Sequence, residues 1–133
     1  MRLRFNAIIV GLVMILGLAS CEGNTRLEWS VDNQSSEDIM VIHKAWDYPW
    51  FDTLNVSTGE VLLLGQNDIL GGQSMPWAPF SFIDTLFIYS ANGNPCTLDW
   101  KETESWEIKS EEESRVPSSW KHVYTLTVGD EDF

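Results

Sequence analysis

The chain has 133 residues, with 8 Lys or Arg against 20 Asp or Glu, and a formal charge of −12 at pH 7. Coulomb repulsion from that excess disfavours nucleic acid and anionic lipid surfaces, while solubility, cationic ligands or a divalent metal are favoured. Seven Trp, three Tyr and six Phe are too many for a solvated polar tail, so a disordered chain is excluded too.

Arg2 and Arg4 make a basic start, and an uncharged apolar run from Ala7 to Leu18 follows. Its length suits the apolar stretch of a signal peptide, about 7–15 residues. It falls short of the roughly 20 that a bilayer-spanning helix needs. Leu18-Ala19-Ser20-Cys21 comes next, a leucine and two small residues directly before a cysteine. This resembles the lipobox of bacterial lipoproteins rather than the cleavage site of a soluble secreted protein. The resemblance implies cleavage after Ser20, a diacylglyceryl group on the Cys21 sulfur, and acylation (palmitate) of its new amino group. The expected address is the cell envelope, at the outer membrane. Two or three acyl chains hold a protein stably, at about 0.8 kcal/mol per buried methylene, so anchoring demands no apolar surface on the folded part. Without Arg2 and Arg4 the mature part has six bases against all 20 acids, a charge of about −14. Lipidation would also leave Cys96 without a partner in the chain. Although an envelope compartment permits disulfides, Cys96 then reads as a small packed residue.

Residues 1–20 are thus read as signal peptide, 21–25 as lipidated N-terminus and short tether, and 26–133 as one domain lying close to the membrane. Arg26 to Asp32 alternates, with Leu27, Trp29 and Val31 on one face, as a half-buried strand does. Asn33 to Ser36 reads as a turn and Asp38 to His43 as a second strand, the two pairing as a hairpin. Val61 to Leu64 predicts a short apolar strand. Ile83 to Tyr89 is a longer one, ended by the Asn92-Gly93 turn signal, with Thr97 to Trp100 as its antiparallel return. Trp106 to Ile108 makes another short strand. Trp120 to Val128 places His122, Tyr124, Leu126 and Val128 on one face. Asp52 to Val56 echoes Asp84 to Ile88, as two strands of similar pattern do. The densest charge run, Glu102 to Arg115, allows at most a helical turn. These short strands predict an all-β fold, a single antiparallel β-sandwich of immunoglobulin-like type, with a small barrel as the alternative.

The lipobox, the strand Asp84-Thr85-Leu86-Phe87-Ile88-Tyr89 with its Asn92-Gly93 turn, and the ending His122 to Phe133 resemble small uncharacterised lipoproteins of Bacteroides-type bacteria. The resemblance implies an envelope location and no activity. In such bacteria Asp-Thr-Leu also resembles an O-glycosylation sequon, which points to Thr53 and Thr85, with Thr53 the better candidate because Thr85 sits inside the long predicted strand.

Catalytic signatures are lacking. Gly72-Gln73-Ser74-Met75-Pro76 lacks the second glycine and the setting of a nucleophile elbow. No phosphate-cradling loop or paired Cys-x-x-Cys occurs. His43 and His122 fall on the apolar sides of strands, where a histidine serves as a hydrogen-bonded structural residue. The Asp130 to Asp132 run does not match the spacing of a calcium loop. No catalytic residue, metal site, cofactor or nucleic-acid partner is therefore expected, and the domain is read as a non-enzymatic module.

Two aromatic stretches invite binding: Trp46 to Phe51 and Met75 to Phe82. Their prolines place both in irregular loops, the second within a long connection from about Gln66 to Phe82, a length that is commonly functional. Trp46, Tyr48, Trp50 and Trp77 are the candidate contact residues. They suit a protein partner, where Trp and Tyr act as anchors, or alternatively a carbohydrate, whose pyranose face an exposed ring covers. Their competing role is to fold back as lids on the sandwich.

Overall fold

The structure, a computed structural model, describes residues 22–133; the signal-peptide segment and Cys21 lie outside the described residues. Among the described residues seven strands form: β1 (Asn24–Asn33), β2 (Ile39–Ala45), β3 (Asp52–Val56), β4 (Val61–Leu70), β5 (Ile83–Ser90), β6 (Trp106–Arg115) and β7 (Ser118–Val128). They make a four-stranded sheet in the order β4-β1-β7-β6 and a three-stranded sheet in the order β3-β2-β5.

Period-two alternation decides which side chains meet between the sheets. Leu27, Trp29 and Val31 of β1, Trp106 of β6, and Tyr124, Leu126 and Val128 of β7 face inward from the four-stranded sheet. Ile39, Val41, Val56, Leu86 and Ile88 meet them from the other, and all are buried. The fold is the expected all-β sandwich. One pairing is parallel, β1 with β7. The four-plus-three division has the strand count of an immunoglobulin constant domain. Here, however, strands 1, 4, 6 and 7 share a sheet, whereas the immunoglobulin order groups strands 1, 2, 4 and 5.

Four local expectations change. β1 and β2 are not a hairpin but lie in different sheets. Asn33 is buried, and its amide donates to the Glu37 and Val56 carbonyls at 2.9 and 3.0 Å while its carbonyl oxygen accepts from Ser35. Those bonds arch the chain across the sandwich. β4 runs on to Leu70, because Gly65 to Leu70 pair with Trp29 to Asn24 past a bulge at Leu64; the irregular connection is therefore 71–82. Thr97 to Trp100 is no strand. Only Pro95 bridges Tyr89, and the chain then leaves β5 as the Thr97 amide bonds the Asp132 carbonyl at 2.7 Å. The charge run makes a 3-10 turn at Thr103–Ser105 and then β6, an edge strand. Charged side chains are what an unprotected sheet edge uses to repel another strand.

Strand directions sort the connections between two ends. β1 starts at the near end and Asn33 reaches the far end, where its backbone bonds Glu60 and Gly59. The near end then holds the chain start at Asn24, the β2–β3 loop 46–51, the connection 71–82 and the β6–β7 turn at 116–117. The far end holds the connections 34–38, 57–60 and 91–105 and the terminus 129–133.

Candidate functional site

The near end carries the aromatic stretches. Pro49 keeps residues 46–51 out of the ladder, and Trp46, Tyr48, Trp50 and Phe51 are each more than half exposed. The loop is tied at its root, where the Tyr48 amide bonds the Ala45 carbonyl at 3.2 Å. Lys44 lies 5.9 Å from the Phe51 ring centroid and 2.9 Å from an Asp84 carboxylate oxygen. Among the described residues no stacked pair joins Trp46, Tyr48 and Trp50. Trp77 goes the other way. It is half-buried, packs on the core and meets Phe82 edge-on at 6.4 Å, so of the four candidate contacts it alone acts as a lid.

The connection 71–82 is a fastened plug. Thr25 is buried, donates its hydroxyl to the Gly71 carbonyl at 2.7 Å and accepts from the Gln73 amide at 2.8 Å. His122 is fully buried, with Nε2 2.7 Å from the Gln73 carbonyl and Nδ1 2.8 Å from the Ser110 hydroxyl. A carbonyl only accepts, so Nε2 carries the proton and Ser110 donates to Nδ1 in the neutral ring. The Trp29 indole donates to the Pro79 carbonyl at 3.0 Å. Trp29 also stacks on Tyr124 at 5.8 Å. Burial pushes the Tyr124 hydroxyl up to about 12, tempered by the nearby Trp77 backbone.

A second surface was not singled out by the sequence. Alternate residues of β2 and β5 point outward from the three-stranded sheet, and register sets Met40 opposite Tyr89 and Ile42 opposite Phe87. Phe87 is 50 % exposed. Beside it, between β5 and residues 95–100, runs a groove of about 390 Å³ lined by Phe87, Tyr89, Pro95, Cys96, Leu98 and Trp100 among others, with Asp99 its one charged residue. The missed signal is the unbroken apolar run: Met40-Val41-Ile42 and Leu86-Phe87-Ile88-Tyr89 do not alternate, as a strand wetted on one face does.

His43 and His122 sit in different sheets and do not converge. Burial holds His43 below its ordinary range against the pull of Asp52, 3.9 Å away. No group of three or more His, Cys, Asp or Glu able to hold a metal exists among the described residues. Cys96 is free and partly packed on the core, and burial pushes its thiol up, which opposes thiolate reactivity. Thr53 lies in β3 and is exposed; Thr85 is half-buried in β5. No helix among the described residues is long and apolar enough to cross a membrane. No family model, curated protein or solved structure matches the chain.

Proposed function

We propose that the protein is a lipid-anchored module of the cell envelope, attached to the outer membrane through Cys21, that holds a protein partner and performs no catalysis. The observation that carries this reading is the outer face of the three-stranded sheet. Met40, Ile42, Phe87 and Tyr89 form an apolar field that continues into the groove beyond β5. A contiguous apolar patch of this kind marks an interaction site, and ring-bearing residues beside a groove are the usual anchors of one. The test is a photoreactive residue at Tyr89 in intact cells. A discrete protein adduct is expected, lost when Phe87→Asp is added and not formed from Glu107 on the opposite face. Equal labelling from both faces would remove the assignment. Anchoring is tested separately, since Cys21→Ala should move the protein to the soluble fraction.

A carbohydrate partner is the second reading, favoured by the exposure of Trp46, Tyr48 and Trp50. Trp46 and Asp47 border a cleft of about 100 Å³ with Gln66 and Asn67. That volume is below the roughly 300–1,000 Å³ of enclosed ligand sites, so a sugar would lie on the rings rather than within the cleft. Calorimetry with oligosaccharides, with Trp50→Ala as the silent control, decides it.

A further inference from the structure

Among the described residues, eight of the eleven exposed large hydrophobics lie in the near-end segments or at their margins; only Val61, Leu63 and Phe87 do not. Leu70, Met75 and Val116 are the most exposed, at 80, 72 and 85 %; Leu70 ends β4, Met75 lies in the connection that follows it, and Val116 lies in the β6–β7 turn. The chain start is fixed at this same end. The Gly71 amide bonds the Gly23 carbonyl at 2.8 Å, and a Cβ on Gly23 would collide with the Ser118 carbonyl. Only Glu22 therefore separates Cys21 from a pinned backbone. Two residues of extended chain span at most roughly 7 Å, about the thickness of one polar interface of a bilayer, which is some 5–7 Å.

Charge is divided the same way. Near-end segments 22–23, 46–51, 71–82 and 116–117 contain Glu22 and Asp47 and no other charged residue. Far-end segments contain Glu37, Asp38, Glu60, Asp99, Glu102 and Glu104, and then the acidic terminus, against the single base Lys101. An acidic lipoprotein held by so short a tether would be repelled by an anionic surface if its charged end faced the bilayer.

We infer that the near end is a bilayer-docking face, on which Trp46, Trp50, Leu70, Met75 and Val116 enter the lipid interface and hold the sandwich upright with its acidic end in water. Tryptophan and tyrosine favour that depth, where the ring is in an apolar layer and its N–H or O–H stays wet. The inference rests on lipidation of Cys21 as proposed above. It also gives Trp46 and Trp50 a role that a glycan reading would assign otherwise.

The test uses the processed lipoprotein, purified from membranes and reconstituted into vesicles of phosphatidylethanolamine and phosphatidylglycerol, with and without phosphatidylcholine brominated high on its acyl chains. Flotation reports the anchor, and tryptophan emission reports the orientation. Vesicle-bound protein should show quenched emission, and Trp46→Phe/Trp50→Phe should lose most of that quenching while keeping its circular dichroism. Leu70→Glu/Val116→Glu should float equally well and be quenched less. Protein that floats with emission untouched by bromine overturns the docking face and leaves the anchor standing. Emission that responds instead to added oligosaccharide overturns it in favour of a sugar site. Protein that does not float overturns both anchor and docking face.

Discussion

The two sheets share one core and present opposite outer surfaces. On the four-stranded sheet three charged pairs cover the outer face, where Arg26 bonds Asp68 at 3.1 Å, Lys121 bonds Glu28 at 2.9 Å and Lys109 bonds Glu107 at 3.1 Å, and exposed Val61 and Leu63 stand apart on the edge strand β4. On the three-stranded sheet the same positions hold Met40, Ile42, Phe87 and Tyr89, with the Lys44–Asp84 pair only at its margin. Neither surface is needed to close the core, since the inward residues alternate identically beneath both. The contrast therefore separates a charged face from an apolar one, and the contact proposed above belongs to the second.

The strongest way to break this contrast is to show that the sheets do not share a core. Leu126 of β7 is fully buried and also lines the groove beyond β5. Leu126→Ala should cost about 2–5 kcal/mol in urea unfolding, the range for a large-to-small core substitution. A loss below about 1 kcal/mol would mean that the facing sheet does not pack on it. The next effect is pH-dependent and lies on the inner side of β2. His43 is held below its ordinary value by burial, so the unfolded chain takes its proton first as pH falls. Its contribution is complete above the unfolded value of about 6.5 and is lost as pH drops through that value toward the lower folded one. Wild-type stability should fall more than that of His43→Gln between about pH 7.5 and pH 5; parallel curves would place His43 in water.

Much of the sandwich was legible because burial writes period two into β1 and β7, where Leu27, Trp29 and Val31 or Tyr124, Leu126 and Val128 recur on one side. What escaped had local chemistry in conflict with its tertiary role. Gly65-Gln66-Asn67-Asp68 looks like a turn, yet β1 supplies its ladder partners. Glu107 to Arg115 looks like a solvated run, yet pairing with β7 makes it an edge strand. Asn33 to Ser36 has turn chemistry that serves a hairpin or a crossing equally, and the choice is made by Val56, 23 residues away. Of the candidate contacts, whose sequence leaves exposed contact and inward lid both open, Trp46, Tyr48 and Trp50 lie exposed in a loop and Trp77 is drawn inward by Phe82 and the core. The clustering of the exposed rings at the chain-start end needs strand directions, which no local pattern contains.

Placing a charge on the apolar face sharpens the contrast. Phe87→Asp on β5 should change stability by about 1 kcal/mol or less, the span of strand preference at a partly exposed site, and should abolish the Tyr89 adduct. A large loss of stability, measured by the same urea titration, would make Phe87 a core residue and remove the contact reading.

The smallest expected effect is on the charged face, where Lys121 Nζ lies 2.9 Å from Glu28 Oε1 with both side chains under a third exposed. β1 and β7 run parallel here, with Glu28 opposite Val123 and Arg26 opposite Lys121, so the pair is a diagonal one and two cations stand side by side. Each base must lean toward its own acid, Arg26 to Asp68 and Lys121 to Glu28, which limits the gain from either pair. A double-mutant cycle with Glu28→Gln and Lys121→Met should give a coupling of about 0.2–1 kcal/mol, as for a surface ion pair. That coupling should shrink at about 1 M salt, where screening acts over about 3 Å. A coupling several-fold larger would show the four-stranded sheet using its charges for stability, and the division between a solvated face and a contact face would have to be redrawn.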